Sequence, residues 1–478
     1  MLDEGMESRK QPRSTLLNII IVGAGTVGLS LAEHLKARGD SIAIVEQDPE
    51  LASSLSSRLD AFTVAGVGAS PNALLDAGIR KADMVIAVTP RDDTNLVVCN
   101  FAKQLGVRKR IARISSTEYT DPHAAVSLKE MGVTHVIEPE EELVRKVMQY
   151  LELPGVTESA NFQFENVYLR GYRITADMPV ANRSLPELNE LTGPSPMLAV
   201  LIIRDGKSVL PTGSERILPG DELIMVMPSE SLPAFRRMVN QPTGKLRKVV
   251  ISGDSLTAIL LARAVRKLCE RVILVDPDPK HGEMAAAELD GVEVLEGDCT
   301  NVQVLQDIQV KGAAFFIAAG KDSEDNVMSC LLAKAEGARE VIAISNTDRH
   351  IELFHSLGLD RIISPRQITA QTIINNIIKV PIGALLKLKN VDVEVVRFVA
   401  ERDSRIVDKP LRSVEGLSRK SVIIGAAVRG DEVIIPGGNT IIRPGDEVLV
   451  FCQPRNSNWV RKLFKAKLIP SAPSEGRE

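Results

Sequence analysis

Residues Gly23-Ala24-Gly25-Thr26-Val27-Gly28 have the types and spacing to hold a diphosphate. Gly23 permits a tight turn. Gly25 lets backbone approach a pyrophosphate, and Gly28 lets the next helix pack close to the strand before it. Amides at that helix's N-terminus face the phosphates, where the macrodipole favours negative charge. Glu46 lies 18 residues past Gly28, near the spacing of about 20 expected for an acid that binds ribose hydroxyls. A carboxylate there also repels a 2′-phosphate, which favours NAD or NADH over NADP.

The turn needs a strand before it and a helix after it. Residues 19–22 read as a buried parallel strand and 26–38 as a helix with Val27, Leu31 and Leu35 on one face. Residues 41–45 form a second strand with Glu46 at its tip. Strands over 61–65, 84–88 and 110–114 alternate with helices over 71–78 and 95–105. Such alternation predicts a parallel, doubly wound sheet. Ligands in these sheets sit at the carboxyl ends of the strands, which places Thr89 and Pro90 beside the cofactor. Arg113 either neutralises phosphate or forms a surface ion pair.

The chain is written twice. Gly23 aligns with Gly253 and Glu46 with Asp276, both offset by 230 residues. DMVIAVTPRDDTN at 83–95 matches AAFFIAAGKDSEDN at 313–326, which places Asn95 opposite Asn326, and PTGSERILPGDE at 211–222 matches PGGNTIIRPGDE at 436–447. The order is therefore A–B–A–B, and a repeat of this kind constrains fold more than any single motif. In the second copy Ser255 replaces Gly25 and Ala258 replaces Gly28. That copy is either a scaffold or a weaker site for a smaller nucleotide.

Each A segment ends in a helix after an Xaa-Pro start, at 140–151 and 367–378. The stripe Leu143, Val147, Leu151 packs either on its own sheet or as an interface helix. The B segments read as short strands, hairpins at Arg204-Asp205-Gly206 and Arg429-Gly430-Asp431, and a helix. Their matched Pro-Gly-Asp-Glu runs read as turns, since Gly supplies positive φ and Asp bonds its own backbone.

The 478 residues imply several domains. A net charge of −4 and 3% aromatic content argue against nucleic acid as a partner. Five scattered cysteines suit a reducing compartment and have no metal-like spacing. No acidic cluster assigns a regulatory cation, so no metal is expected. No apolar stretch reaches the ~18–20 residues that span a bilayer, and the first residues lack the core of a signal peptide. Of six histidines (His34, His123, His135, His281, His350, His355) none lies in a B segment. A dehydrogenase needs a proton donor and a substrate clamp, and neither is legible. No catalytic residue is assigned, and the expectation is that the chain is not an enzyme.

The GAGTVG turn, the VTPRDDTN stretch, RIARI at 110–114 and the paired PGDE turns, in A–B–A–B order over about 17–465, resemble the TrkA family. Its members are cytosolic regulators of Trk-type bacterial potassium uptake, built from tandem RCK (or KTN) modules with an N-lobe and a C-lobe. The resemblance implies two Rossmann-like α/β domains, each followed by a small α+β domain. The implied boundaries are an N-terminal extension at 1–16, N-lobes at 17–138 and 246–363, connecting helices at 139–157 and 364–387, C-lobes at 158–241 and 388–465, and a tail at 466–478. Extension and tail are expected to be disordered.

It implies that Gly23, Ala24, Gly25, Thr26, Val27, Gly28, Glu46, Thr89, Pro90 and Arg113 line a site for NAD or NADH, with ATP or ADP as alternatives. It further implies a homo-oligomeric ring, a tetramer, peripheral on the cytoplasmic face of a membrane K⁺-translocating subunit that it gates through nucleotide-dependent conformational change. Val67 departs from the acid that many such domains carry after the third strand. The competing reading is a soluble NAD-dependent oxidoreductase.

Overall fold

The computed structural model describes residues 17–464, apart from 60, 122–123, 162–165, 212–214, 242–243, 347–356, 375–383, 388–391, 418–420 and 431. The N-terminal extension, the tail and residues 375–383 of the expected second connecting helix lie outside the described residues, and the last residues expected of that helix, Ala384–Lys387, form a strand that pairs with the next one. The chain forms two compact units.

The first unit opens with a parallel sheet: β1 (Asn18–Val22), α1 (Thr26–Arg38), β2 (Ser41–Glu46), α2 (Pro49–Leu59), β3 (Phe62–Ala65), α3 (Pro71–Asp76), β4 (Met84–Ala87), α4 (Asp92–Gln104), β5 (Lys109–Arg113), α5 (Thr117–Thr120) and β6 (His135–Ile137). Strand order is β3-β2-β1-β4-β5-β6. The order reverses at β1, where Ile19 pairs with Ile42 on one side and Met84 on the other. β1 and β4 are apolar without alternation because helices cover both faces. Ile20, Val22, Val85 and Ala87 pack on Leu74 and Val98. α4 starts three residues earlier than its apolar pattern predicts. Asp92 and Asp93 occupy its first turn, where the dipole favours acids, so the apolar periodicity begins inside the helix.

The second unit begins with α6 (Pro139–Glu152) from Glu140 onward. Next come β7 (Val156–Asn161), β8 (Val167–Arg173), α7 (Leu185–Thr192), β9 (Leu198–Arg204), β10 (Lys207–Val209), β11 (Glu222–Pro228) and α8 (Leu232–Met238). These strands form an antiparallel sheet ordered β10-β9-β11-β8-β7. A second parallel sheet follows: β12 (Leu246–Ser252), α9 (Leu256–Val265), β13 (Cys269–Asp276), α10 (Pro279–Glu288), β14 (Glu293–Glu296), α11 (Val302–Asp307), β15 (Phe315–Ala318), α12 (Ser323–Ala335), β16 (Glu340–Ile344) and β17 (Arg361–Ile363). Its order, β14-β13-β12-β15-β16-β17, copies the first sheet.

After α13 (Pro365–Thr372) come β18 (Ala384–Lys387), β19 (Glu394–Val399), β20 (Val422–Arg429), β21 (Glu432–Ile434), β22 (Glu447–Cys452) and α14 (Pro454–Leu463). They form a second antiparallel sheet ordered β18-β19-β22-β20-β21. The two antiparallel sheets share one core. Leu169, Val200 and Ile224 pack with Val395, Ala426, Leu449 and Phe451. The fold is α/β, with each Rossmann-like sheet followed by a small α+β lobe.

The connecting helices are exchanged. From Arg366 onward α13 groups with the first parallel sheet, whereas α6 groups with the second. The stripe Leu143, Val147, Leu151 is buried. On α6, Tyr150 takes the Arg361 guanidinium of β17 over its ring, 4.3 Å from the centroid. Of the two readings of the stripe, the interface helix is the one this grouping matches.

The Pro-Gly-Asp-Glu turns behave as predicted and do more. Gly220 and Gly445 have φ of +94° and +93°. The aspartates accept from Leu218 N and Arg443 N, at 2.7 and 2.8 Å. They also receive bidentate guanidinium bonds from the last residue of the hairpin strand, Arg204 to Asp221 and Arg429 to Asp446, all at 2.8–2.9 Å. Both aspartates are buried. The guanidiniums stay part-exposed, so loss of an aspartate leaves a cation that water still reaches, and the cost falls below that of a fully buried pair. We predict that Asp446→Ala destabilises the second small lobe by about 2 kcal/mol, read as a lowered melting temperature. An unchanged melt overturns this account of the turn.

Candidate functional site

The turn between β1 and α1 is shaped by glycine. Gly23 has φ +98°, and a Cβ there would lie 3.1 Å from the Thr89 backbone nitrogen. A Cβ at Gly28 would lie 1.9 Å from the Gly23 carbonyl oxygen, so only hydrogen lets α1 approach the strand this closely. Gly25 differs. Its φ of −61° suits any residue and nothing lies within 4 Å of a Cβ there. It is the N-cap residue of α1, and no side chain caps the helix. The first amides of α1 are therefore left for solvent or an anion.

Glu46 ends β2 beside this turn and is buried. Its carboxylate accepts from Ala24 N at 2.7 Å and Asp48 N at 3.0 Å. Gly23, Gly25, Glu46, Thr89 and Pro90 line one cleft of about 450 Å³ at the carboxyl ends of the strands. Of the remaining predicted residues, Ala24, Thr26, Val27 and Gly28 belong to the turn and helix start behind this wall. Arg113 is also off the wall, and its Nη1 faces the Thr89 carbonyl at 3.4 Å. Val67, Gly68, Ala69, Arg91, Asp93 and Thr94 complete much of the lining. Their segments follow the third and fourth strands, so the strand-end rule marked the region without picking the side chains.

Asn95 holds the wall together. Thr89 donates to Asn95 Oδ1 from its backbone nitrogen (3.0 Å) and its hydroxyl (2.8 Å). Asn95 Nδ2 donates to the carbonyls of Thr89 (3.0 Å) and Arg113 (2.8 Å). One fully buried amide thus ties the end of β4 to the end of β5. The repeat alignment paired Asn95 with Asn326, whose amide bonds Gly320 and Ile344 in the same way.

The second copy is closed by its own side chains. Ser255 caps α9, accepting from Ala258 N at 3.2 Å and donating to the Ala319 carbonyl. Lys321 reaches Asp254 across the turn at 2.8 Å. Asp276, opposite Glu46 in the repeat, is fully buried and occupied by Asp278 N and the His281 ring. The Ser255 hydroxyl, Asp254 and Asp276 are thus all bonded within this copy's own turn.

The first cleft is poor in groups for proton transfer. Its titratable lining residues are Glu46, Arg91 and Asp93. Arg91 and Asp93 form an exposed ion pair at 2.5 Å, and hydrogen bonding from Arg91 lowers the Asp93 carboxyl to about 2. The described histidines, His34, His135 and His281, are not on the wall. All five cysteines are free and buried, and burial pushes Cys99 and Cys452 up to about 12 and Cys299 to about 11. Among the described residues no group of three or more His, Cys, Asp or Glu is placed to hold a metal. No helix among them is long and apolar enough to cross a membrane.

One contact was not legible in the sequence. Arg366 Nη1, at the start of α13, donates to the Thr26 hydroxyl at 2.9 Å, across 340 positions of chain. Only the exchange of helices brings the two together.

The two loop glycines should respond differently to substitution. Gly28→Ala is expected to destabilise the first unit by about 3 kcal/mol, because its methyl overlaps the Gly23 carbonyl. Gly25→Asp is expected to melt like the parent protein, since its side chain enters open space. Equal melting of both variants would contradict this reading of the turn.

The chain matches the TrkA-N domain at residues 19–139 and 249–365 and the TrkA-C domain at 169–240 and 395–465. It is 30% identical to the Trk system potassium uptake protein TrkA of Azorhizobium caulinodans, covering 95% of this chain and 99% of that one. The protein of the same name from Haemophilus influenzae is 27% identical, covering 94% and 99%. Among solved structures, the GsuK RCK domain superposes with a TM-score of 0.57 at 18% identity, covering 96% of this chain and 97% of that one. The GsuK channel bound to NAD gives the same TM-score and identity, covering 96% and 80%. At that identity the structures establish the fold alone. The alternating domain matches and the full-length relatives establish more: the chain belongs to the TrkA family.

Proposed function

We propose that this chain is the cytosolic nucleotide-sensing subunit of a Trk-type potassium uptake system, with NAD or NADH bound in its first N-lobe. One observation carries the reading. The first helix N-terminus is uncapped over an open glycine, while its twin is capped by Ser255. The amides of α1 would hold the diphosphate, Glu46 the adenosine ribose, and Thr89 and Pro90 the wall beside it. Arg113 would act through the Thr89 carbonyl. To serve ribose, the Glu46 carboxylate keeps its bond from Ala24 N and shares its second oxygen, which accepts from Asp48 N, with a ribose hydroxyl. ATP or ADP would use the same amides.

The cofactor acts here as a signal. An oxidoreductase needs a proton donor at the reacting carbon, and the wall offers a carboxylate bonded to backbone and an ion pair. Binding would bias the angle of the lobes, and the bias would pass to a membrane K⁺-translocating subunit through a homo-oligomeric ring, a tetramer, on its cytoplasmic face. A ligand shifts such an equilibrium only by its difference in affinity for the two states, typically about 1–3 kcal/mol. The names of the family's potassium uptake relatives support the partner, and the NAD-bound GsuK channel supports the ligand class.

The test is calorimetric titration of the purified full-length chain with NADH, then K⁺ flux through the complex reconstituted with its membrane subunit. Gly25→Asp should weaken NADH binding at least about 100-fold, through charge repulsion and blocked approach, and should abolish the flux response. Glu46→Gln, milder because the amide oxygen still accepts from Ala24 N, should weaken NADH more than it weakens pyrophosphate, which carries no ribose. Normal nucleotide control in both variants, or hydride transfer to a metabolite, overturns the proposal.

A further inference from the structure

Among the described residues, the wall of the first cleft offers no available cation for a diphosphate. Arg91, its one lining cation among the described residues, is held by Asp93 through two bonds. Arg113 lies behind Thr89. The helix N-terminus contributes only a partial charge of about +0.5. Yet Arg366 stands at that N-terminus, bonded to the hydroxyl of Thr26, the first residue of α1. A guanidinium has five donors in a planar fork suited to phosphate, and this bond uses one of them. The side chain is exposed, so its other donors can turn to a ligand over Gly25.

The repeat supplies an independent observation. Pro139 and Pro365 open the two connecting helices, so Glu140 occupies the place of Arg366. Leu256 likewise occupies the place of Thr26. The arginine and its hydroxyl partner accompany the uncapped turn. An acid and a leucine accompany the turn that Ser255 closes. A cation is useful only where an anion binds.

We infer that Arg366 is a phosphate-binding residue of the first nucleotide site, supplied by the exchanged helix of the second half of the chain. This rests on the first N-lobe binding nucleotide. The diphosphate then bridges α1 and α13, and ligand binding is felt directly by the segment that leads into the second small lobe.

The experiment titrates NADH, ADP and adenosine into the full-length protein and its Arg366→Gln and Arg366→Lys variants, with melting curves as the folding control. Arg366→Gln should weaken NADH and ADP roughly 10- to 100-fold, the range of a charge-assisted hydrogen bond. Adenosine, which has no phosphate, should bind as to the parent. Arg366→Lys should recover part of the loss, and the salt dependence of ADP binding should flatten in Arg366→Gln. Unchanged NADH and ADP affinity in Arg366→Gln overturns the inference while leaving the site intact. An equal loss for adenosine assigns Arg366 a merely structural role and also overturns it. Absence of NADH and ADP binding to the parent protein instead overturns the functional proposal beneath it.

Discussion

The first amides of a helix have no partner inside the helix and must find one outside it. This constraint divides the two halves of the chain. At α9 the partner is built in, because the Ser255 hydroxyl accepts from Ala258 N. At α1 no side chain fills that role, and Gly25 leaves open space above the turn. Both halves keep the same six-stranded order and the same buried asparagine clamp. The difference lies in a few atoms at one turn, and it separates a surface that can accept an anion from one that supplies its own.

The surroundings of the open turn follow from close approach. Gly28 brings α1 against the strand, and Gly23 brings the turn against Thr89. Thr89 is fixed in turn by Asn95, which also grips the end of β5. The cleft is therefore braced by backbone and by one buried amide. The exchanged helices are the elements whose partners belong to the opposite half of the sequence.

Much of this was legible before any coordinates. Apolar runs broken by glycine gave the parallel strands within a residue or two, because buried parallel strands carry little else. The glycine spacing and Glu46 located the turn, since each residue there answers to a separate steric demand. Legibility failed where partners are distant in sequence or where a side chain has several options. Arg204 and Arg429 looked like hairpin residues, yet they close onto Asp221 and Asp446. Arg113 had two readings and faces a carbonyl. Asn95 was visible as a repeated residue, but its four bonds depend on how two strand ends meet. Arg366 was invisible, because no local pattern records that a helix docks on the other half.

Exchange of helices also changes what a duplicated fold can do. In two independent copies, a ligand in one would act on the other only through whatever surfaces they share. Here the residue that touches the first turn belongs to the connection between the second sheet and the last small lobe. A ligand that contacts both α1 and α13 has interaction energy that depends on their separation. Only energy that differs between two arrangements can move the balance between them. A site confined to one sheet would bind with equal strength in both arrangements and transmit nothing, however tight. Duplication with exchange therefore allows one half of such a fold to hold a ligand and the other to respond, and Ser255 and Ala258, standing where the first copy has Gly25 and Gly28, are where the two copies of this chain differ.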